Sequence, residues 1–159
     1  MRRPEDMNEV TIDGWGDASD VTNKLIGSWS LDRIIEGQAT MQGIAIFAPL
    51  DGARLAYREQ GHLKLANGTI VQAEREYVFS NCDGGFQVFF KEEPLRLFHE
   101  ILLSASSAGE LCGSARHICN RDEYRSAYRF MRDGTFAVRH GVSGPRKDYA
   151  INTAYARLS

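Results

Sequence analysis

The sequence predicts an all-β domain: a closed antiparallel up-and-down barrel of about 8 to 10 strands with a short N-terminal helical turn. Three observations lead there. From Ser28 onward, runs rich in Val, Ile, Phe, Tyr and Thr alternate with short Gly, Asp or Asn turns. Within several runs the apolar residues recur at every second position, as they do in a strand with one buried face. Sequential hairpins make a meander, and closing the sheet on itself is the common way to remove the two edges of so long a meander.

Residues 1–19 mix charges, Gly and Asp without a sustained period and are expected to form a flexible or loosely docked arm, ahead of a single domain over residues 20–159. Trp15 stands out in that arm, and its large ring is expected to pin the segment to the domain. Asp20 reads as an N-cap and Val21 to Leu25 as one or two helical turns stopping at Gly27. The expected strands then run Gly27 to Ile35, Thr40 to Phe47, Ala53 to Gln60, His62 to Leu65, Thr69 to Phe79 and Phe86 to Lys91. They continue as Leu95 to Leu103, Glu110 to Cys119, Asp122 to Met131, Thr135 to Val142 and Lys147 to Leu158. The joints are hairpin material: Glu36-Gly37, Asp51-Gly52, Asn67-Gly68, Asp83-Gly84-Gly85, Asn120-Arg121 and Asp133-Gly134.

The alternation is clearest in the last third. Tyr124, Ser126, Tyr128 and Phe130 share one face, with Arg125, Arg129 and Arg132 opposite. Phe136, Val138, His140 and Val142 share another, as do Tyr149, Ile151, Thr153 and Tyr155. The interior these faces imply is aromatic but not dry.

Bulk properties exclude several classes. A chain of 159 residues is long enough to bury a core without disulfides or a structural metal. Hydrophobic residues at 43% and charged residues at 25% disfavour disordered, collagen-like and membrane proteins. The net charge of -2, from 19 basic and 21 acidic side chains, argues against a nucleic-acid partner. No apolar run has the length of a signal peptide or a membrane span. Cys82, Cys112 and Cys119 are odd in number and lack a repeated C-x-x-C pattern, which suits reduced thiols and a cytoplasmic location. The oligomeric state stays open, a homo-oligomer included.

Leu25-Ile26-Gly27-Ser28-Trp29 puts a Gly-x-Trp at the start of the first strand, and the chain ends in Tyr155-Ala156-Arg157. This combination resembles the calycins, the lipocalin and fatty-acid-binding barrels. The resemblance implies that Trp29 packs on Arg157 to close one barrel end, a cation and ring contact worth about 0.5 to 2 kcal/mol. The run Gly27 to Arg157, with its Tyr57-Arg58-Glu59, Arg75-Glu76-Tyr77-Val78-Phe79, Phe98-His99-Glu100 and Gly144-Pro145-Arg146-Lys147-Asp148-Tyr149 blocks, also looks like a family of small bacterial proteins of unknown function. That likeness implies no activity. Unlike typical lipocalins, this sequence shows neither a secretion signal nor a disulfide framework.

The chemistry-bearing residues lie on the expected strands. His99, His117 and His140 belong to three of them and are candidates to converge, with Tyr128 beside them. Convergent imidazoles bind zinc and a single one ligates haem iron, but ligand spacing such as H-x-H is absent, and a satisfied core or rim histidine is the alternative for each. No metal is therefore assigned, and the cofactor is unknown. Arg58, Arg75 and Arg96 need partners from another strand or from a ligand, because strand neighbours face opposite ways. Arg75 with Tyr77 would hold a carboxylate if both point inward. Tyr124 and Tyr149 are core aromatics first and ligand hydrogen-bond donors second. The 144–149 turn is either a basic gate at a barrel mouth or a solvated hairpin.

Three functions remain open. The leading one is a barrel binding a small, partly apolar, anionic molecule through Arg75, Tyr77, His99, His117, Tyr124, Tyr128, His140 and Tyr149. The second is an enzyme with His99 or His140 as acid or base. The third is an interaction module whose barrel is filled by its own side chains.

Overall fold

The structure, a computed structural model, describes residues 14–158. Every expected strand is present. They are β1 (Gly27–Ile35), β2 (Ala39–Asp51), β3 (Arg54–Leu65), β4 (Ile70–Cys82), β5 (Gly85–Phe90), β6 (Arg96–Leu102), β7 (Ser104–Ala105), β8 (Leu111–Cys119), β9 (Asp122–Phe130), β10 (Phe136–Ser143) and β11 (Asp148–Arg157). All pairings are antiparallel, in the order β6-β5-β4-β3-β2-β1-β11-β10-β9-β8-β7. The count of eleven slightly exceeds the expectation.

β2 and β4 run on past their expected ends to Asp51 and Cys82, and two divisions between strands differ from the sequence reading. Gly61 had seemed to break a strand, but β3 runs straight through it. Gly61 sits opposite Gly43 of β2, where an added Cβ would lie 2.2 Å from the Gln42 carbonyl oxygen, so the glycine pair permits a close backbone approach. The run expected over Leu95 to Leu103 divides into β6 and β7 around Leu103, whose N–H donates to the Gly84 carbonyl at 2.9 Å.

That division closes the ring. β6 pairs with β5 on one flank, and its continuation β7 pairs with β8, Ser104 opposite Cys112. Above this short ladder β6 packs beside β8 without backbone pairing, leaving a seam in a nearly closed barrel. Gly113 lies at a close approach across the seam, where a Cβ would stand 2.5 Å from the Leu102 carbonyl oxygen.

One barrel end is plugged. Residues 1–13 of the expected arm lie outside the described residues, but Trp15 is buried and stacks on Trp29 with ring centroids 5.8 Å apart. A 3-10 turn, Ala18–Asp20, leads into α1 (Val21–Leu25), whose Val21 and Leu25 are also buried. Asp20 precedes α1 but makes no side-chain cap bond to it; its carboxylate accepts instead from the Asp17 N–H at 3.1 Å. Trp29 donates its indole N–H to the Leu25 carbonyl at 2.9 Å. Arg157, opposite Trp29 in register, lays its guanidinium 4.2 Å from the ring centroid and donates to the carbonyls of Lys24 and Ile26. The guanidinium thus serves orphan carbonyls at the helix C-terminus. No helix among the described residues is long and apolar enough to cross a membrane.

Candidate functional site

The chemistry gathers at the other end. On β1 the period-two face Trp29, Leu31, Arg33, Ile35 carries a guanidinium into the barrel, and on β3 Leu55, Tyr57, Glu59 carries a carboxylate. They meet in two hydrogen bonds: Arg33 Nη1 to Glu59 Oε2 at 2.6 Å and Nη2 to Oε1 at 2.8 Å. Tyr57 donates its hydroxyl to Glu59 at 2.6 Å and Arg33 Nε donates to Thr153 at 2.8 Å. With Tyr57 committed to Glu59, the hydroxyl of Tyr155, 2.9 Å away, donates to that of Tyr57. Burial alone would raise the Glu59 carboxyl, but the hydrogen bonds and charge of Arg33 hold it below the usual range. Burial likewise opposes the Arg33 charge, yet Glu59 holds that cation firmly protonated.

Above this pair lies a ring of imidazoles. A bulge sets Val88 opposite His99 and Phe89 opposite Leu97, so Phe98 is the extra residue and both Phe98 and His99 turn inward. Phe98 then touches all three predicted histidines, with centroids 4.2 Å from His99, 5.6 Å from His117 and 5.8 Å from His140. His99 Nε2 shares a hydrogen bond with the Tyr128 hydroxyl at 2.9 Å, and His140 Nδ1 shares one with Ser126 at 2.7 Å. Burial drives His99 down to about 3, helped by His140 and His117. Burial with the charges of Arg33 and Arg75 drives His140 down to about 4. Both rings are neutral at pH 7. Burial also pushes Tyr128 well above its usual value and Tyr155 up to about 12, so these hydroxyls stay protonated. Among the described residues no group of three His, Cys, Asp or Glu is placed to hold a metal ion.

Phe98, His117 and His140 form part of the wall of an open cleft of about 560 Å³ at the barrel mouth. Of the predicted site residues, Arg75, Tyr77, His117, Tyr124, His140 and Tyr149 line it. Tyr128 lines a smaller cavity of about 80 Å³ directly below, which shares Arg75, Tyr77, His140 and Ile151 with the cleft. His99 lies buried behind Phe98 and lines neither. Arg75 donates to the Tyr77 hydroxyl at 3.2 Å, and no carboxylate among the described residues lies within ion-pair distance of it. The other cations of the cleft are paired: Lys91 with Glu76 at 3.2 Å and Arg96 with Glu92 at 2.9 Å. Arg58, by contrast, points outward and pairs with Glu74. Trp29 and Arg157 stand at the opposite, plugged end.

Sequence reasoning missed Arg33, Glu59 and Phe98. The first two were legible as charges on otherwise apolar period-two faces. Phe98 carried no such signal, because strict alternation puts Phe98 and His99 on opposite faces.

No curated protein matches the sequence. Among solved structures, the chain is similar to a redesigned beta barrel at 11% identity and TM-score 0.46, covering 91% of this chain and 98% of that one. It is also similar to the redesigned beta barrel mFAP1 bound to DFHBI, at 13% identity and TM-score 0.41, covering 86% and 97%. A third, EF1p2_mFAP2b bound to DFHBI, has 13% identity and TM-score 0.43 over 89% and 99%. In sequence, residues 25–157, every strand of the barrel together with the end of α1, match one family, and the chain belongs to it: DUF6314, a family of unknown function.

Proposed function

We propose that this chain binds a small, partly apolar, anionic molecule in the cleft at the barrel mouth. The observation that carries the reading is Arg75, a guanidinium facing an aromatic cleft of about 560 Å³ with no carboxylate partner among the described residues. A volume of this size lies within the range of small-molecule sites, and a planar guanidinium fork suits an oxyanion. His140 contributes a ring whose Nδ1 is engaged by Ser126 and whose Nε2 has no protein partner among the described residues. The packing of Trp29 on Arg157 supports a calycin-like barrel, and the three free cysteines support a cytoplasmic location.

Binding is preferred to acid–base catalysis because imidazoles held at about 3 and about 4 are weak bases at neutral pH. The test is the intact mass of freshly purified protein under native and denaturing conditions, followed by an NMR screen of small acids. A mass excess lost on denaturation, or shifts confined to Tyr77, His117, His140 and Tyr149, supports the reading. Equal masses together with no acid moving those resonances overturn it.

A further inference from the structure

Resting on the cleft reading, the geometry points to the class of ligand: a compact, flat monocarboxylate, one carboxylate on a single ring or a fused pair, seated across the mouth and not threaded down the barrel. Three independent features of the cleft converge on it.

The first is depth. Directly beneath the cleft the Arg33–Glu59 pair and the Tyr57–Tyr155 contact project inward from β1, β3 and β11, leaving a cavity of only about 80 Å³. At roughly 30 Å³ per water molecule this admits two or three waters and no acyl chain. Lower still the interior is filled, with Phe47 against Phe79 at 5.1 Å and Phe79 against Phe86 at 5.5 Å.

The second is shape. Phe98 lies within 26° of the planes of Phe90 and Tyr77 and within 25° of His140. Rings from strands on both sides of the seam thus flank Phe98 at low angles, while Tyr77 and Phe90 are inclined 52° to each other and His117 stands edge-on at 89° to Phe98. Such a surface accommodates a ring in offset-stacked contact better than a flexible chain.

The third is charge. Arg75, Lys91 and Arg96 face Glu76 and Glu92, and the two carboxylates are taken by Lys91 and Arg96. Below them Arg33 and Glu59 cancel. One positive charge is left, so a monoanion balances the cleft. A dianion overcompensates it, and a cation is repelled.

The experiment is a calorimetric titration of the full chain with four probes: 2-naphthoate, 2-naphthamide, naphthalene-2,6-dicarboxylate and decanoate. The expected result is that 2-naphthoate binds at least ~10-fold tighter than each of the others, a difference of about 1.4 kcal/mol. Arg75→Gln, folded by circular dichroism, should bring 2-naphthoate down to the affinity of the amide. Decanoate or the dicarboxylate binding as tightly as 2-naphthoate overturns the ligand class and leaves the cleft reading standing, whereas the amide binding as tightly, or an unchanged Arg75→Gln affinity, overturns both. If none of the probes binds, the ligand class falls, and if the native mass also equals the denatured mass and no small acid moves a cleft resonance, the cleft reading falls with it.

Discussion

Arg33 and Glu59 meet inside the barrel through two hydrogen bonds, although β2 lies between the strands that carry them. The pair is satisfied on every side, with Tyr57 and Thr153 completing its shell. It links β1 to β3 over the inner face of β2 and forms the floor of the cleft.

Removing one partner leaves a buried charge uncompensated. Glu59→Gln should therefore cost roughly 3 to 5 kcal/mol, while the double replacement Arg33→Met with Glu59→Leu should cost much less. Urea unfolding of the variants decides. A Glu59→Gln protein as stable as the parent shows that the pair adds nothing to the fold.

The plugged end yields a coupling between Gly27 and Arg157. Gly27 has φ +132° and an added Cβ would lie 2.9 Å from Arg157 Nη1, so Gly27→Ala brings both backbone strain and a clash. Its cost should be about 1 to 3 kcal/mol, and Arg157→Met alone about 0.5 to 2 kcal/mol. In the Arg157→Met background the clash is relieved, so the two losses should sum to more than the double mutant shows. Simple additivity in a thermal-unfolding cycle would count against the contact.

Acid should weaken the protein earlier than its carboxylates require. His99 and His140 titrate in the fold at about 3 and about 4, below the ordinary 6.5 of the unfolded chain. As pH falls, the unfolded chain takes up these protons first, so stability is full above about pH 7 and is lost through the window from about 6.5 down to about 3. The loss between pH 7 and 4.5 should be roughly 2 to 5 kcal/mol. Below the ordinary carboxylate range the lowered Glu59 adds a further loss of the same sign. Urea midpoints at pH 7.5, 6.0 and 4.5 test this, and His140→Gln should flatten the slope. A midpoint independent of pH across the window contradicts it.

Gly113 tests the seam. A side chain here would meet the Leu102 carbonyl and the Ile101 side chain, 2.5 and 2.7 Å from the new Cβ. Gly113→Val should destabilise the barrel by about 1 to 3 kcal/mol. Amide exchange should rise first around Ala105 and Cys112, which lie in the β7–β8 ladder. Unchanged protection there would show that closure does not depend on this approach.

Most of the architecture was readable because alternation and turn chemistry are local properties. Tyr124, Ser126, Tyr128 and Phe130 do face one way with Arg125 and Arg129 opposite, and Asn120 adopts φ +58° in the turn that its residue type suggested. The site was less readable, because what builds it is not local. Register decides which strands bring Arg33 to Glu59, and a single inserted residue decides that Phe98 joins the histidines. His140 was legible from its own strand, whereas its company was not. Gly61 misled because a glycine that opens a turn and one that admits a neighbouring backbone look alike in sequence.

The strand order follows the chain, and only one junction in the ring joins distant segments, β1 with β11, because at the seam β6 and β8 are separated in sequence by no more than β7 and its turn. Every other pairing is a hairpin that can form from its own neighbourhood, so the chain can assemble as two growing ribbons with little loop entropy to overcome. The ribbons are then locked together twice, once by a full ladder and once mainly by packed side chains. Of the two locks, the side-chain one lies beside the cleft, so it is there that the barrel wall is held without a backbone ladder.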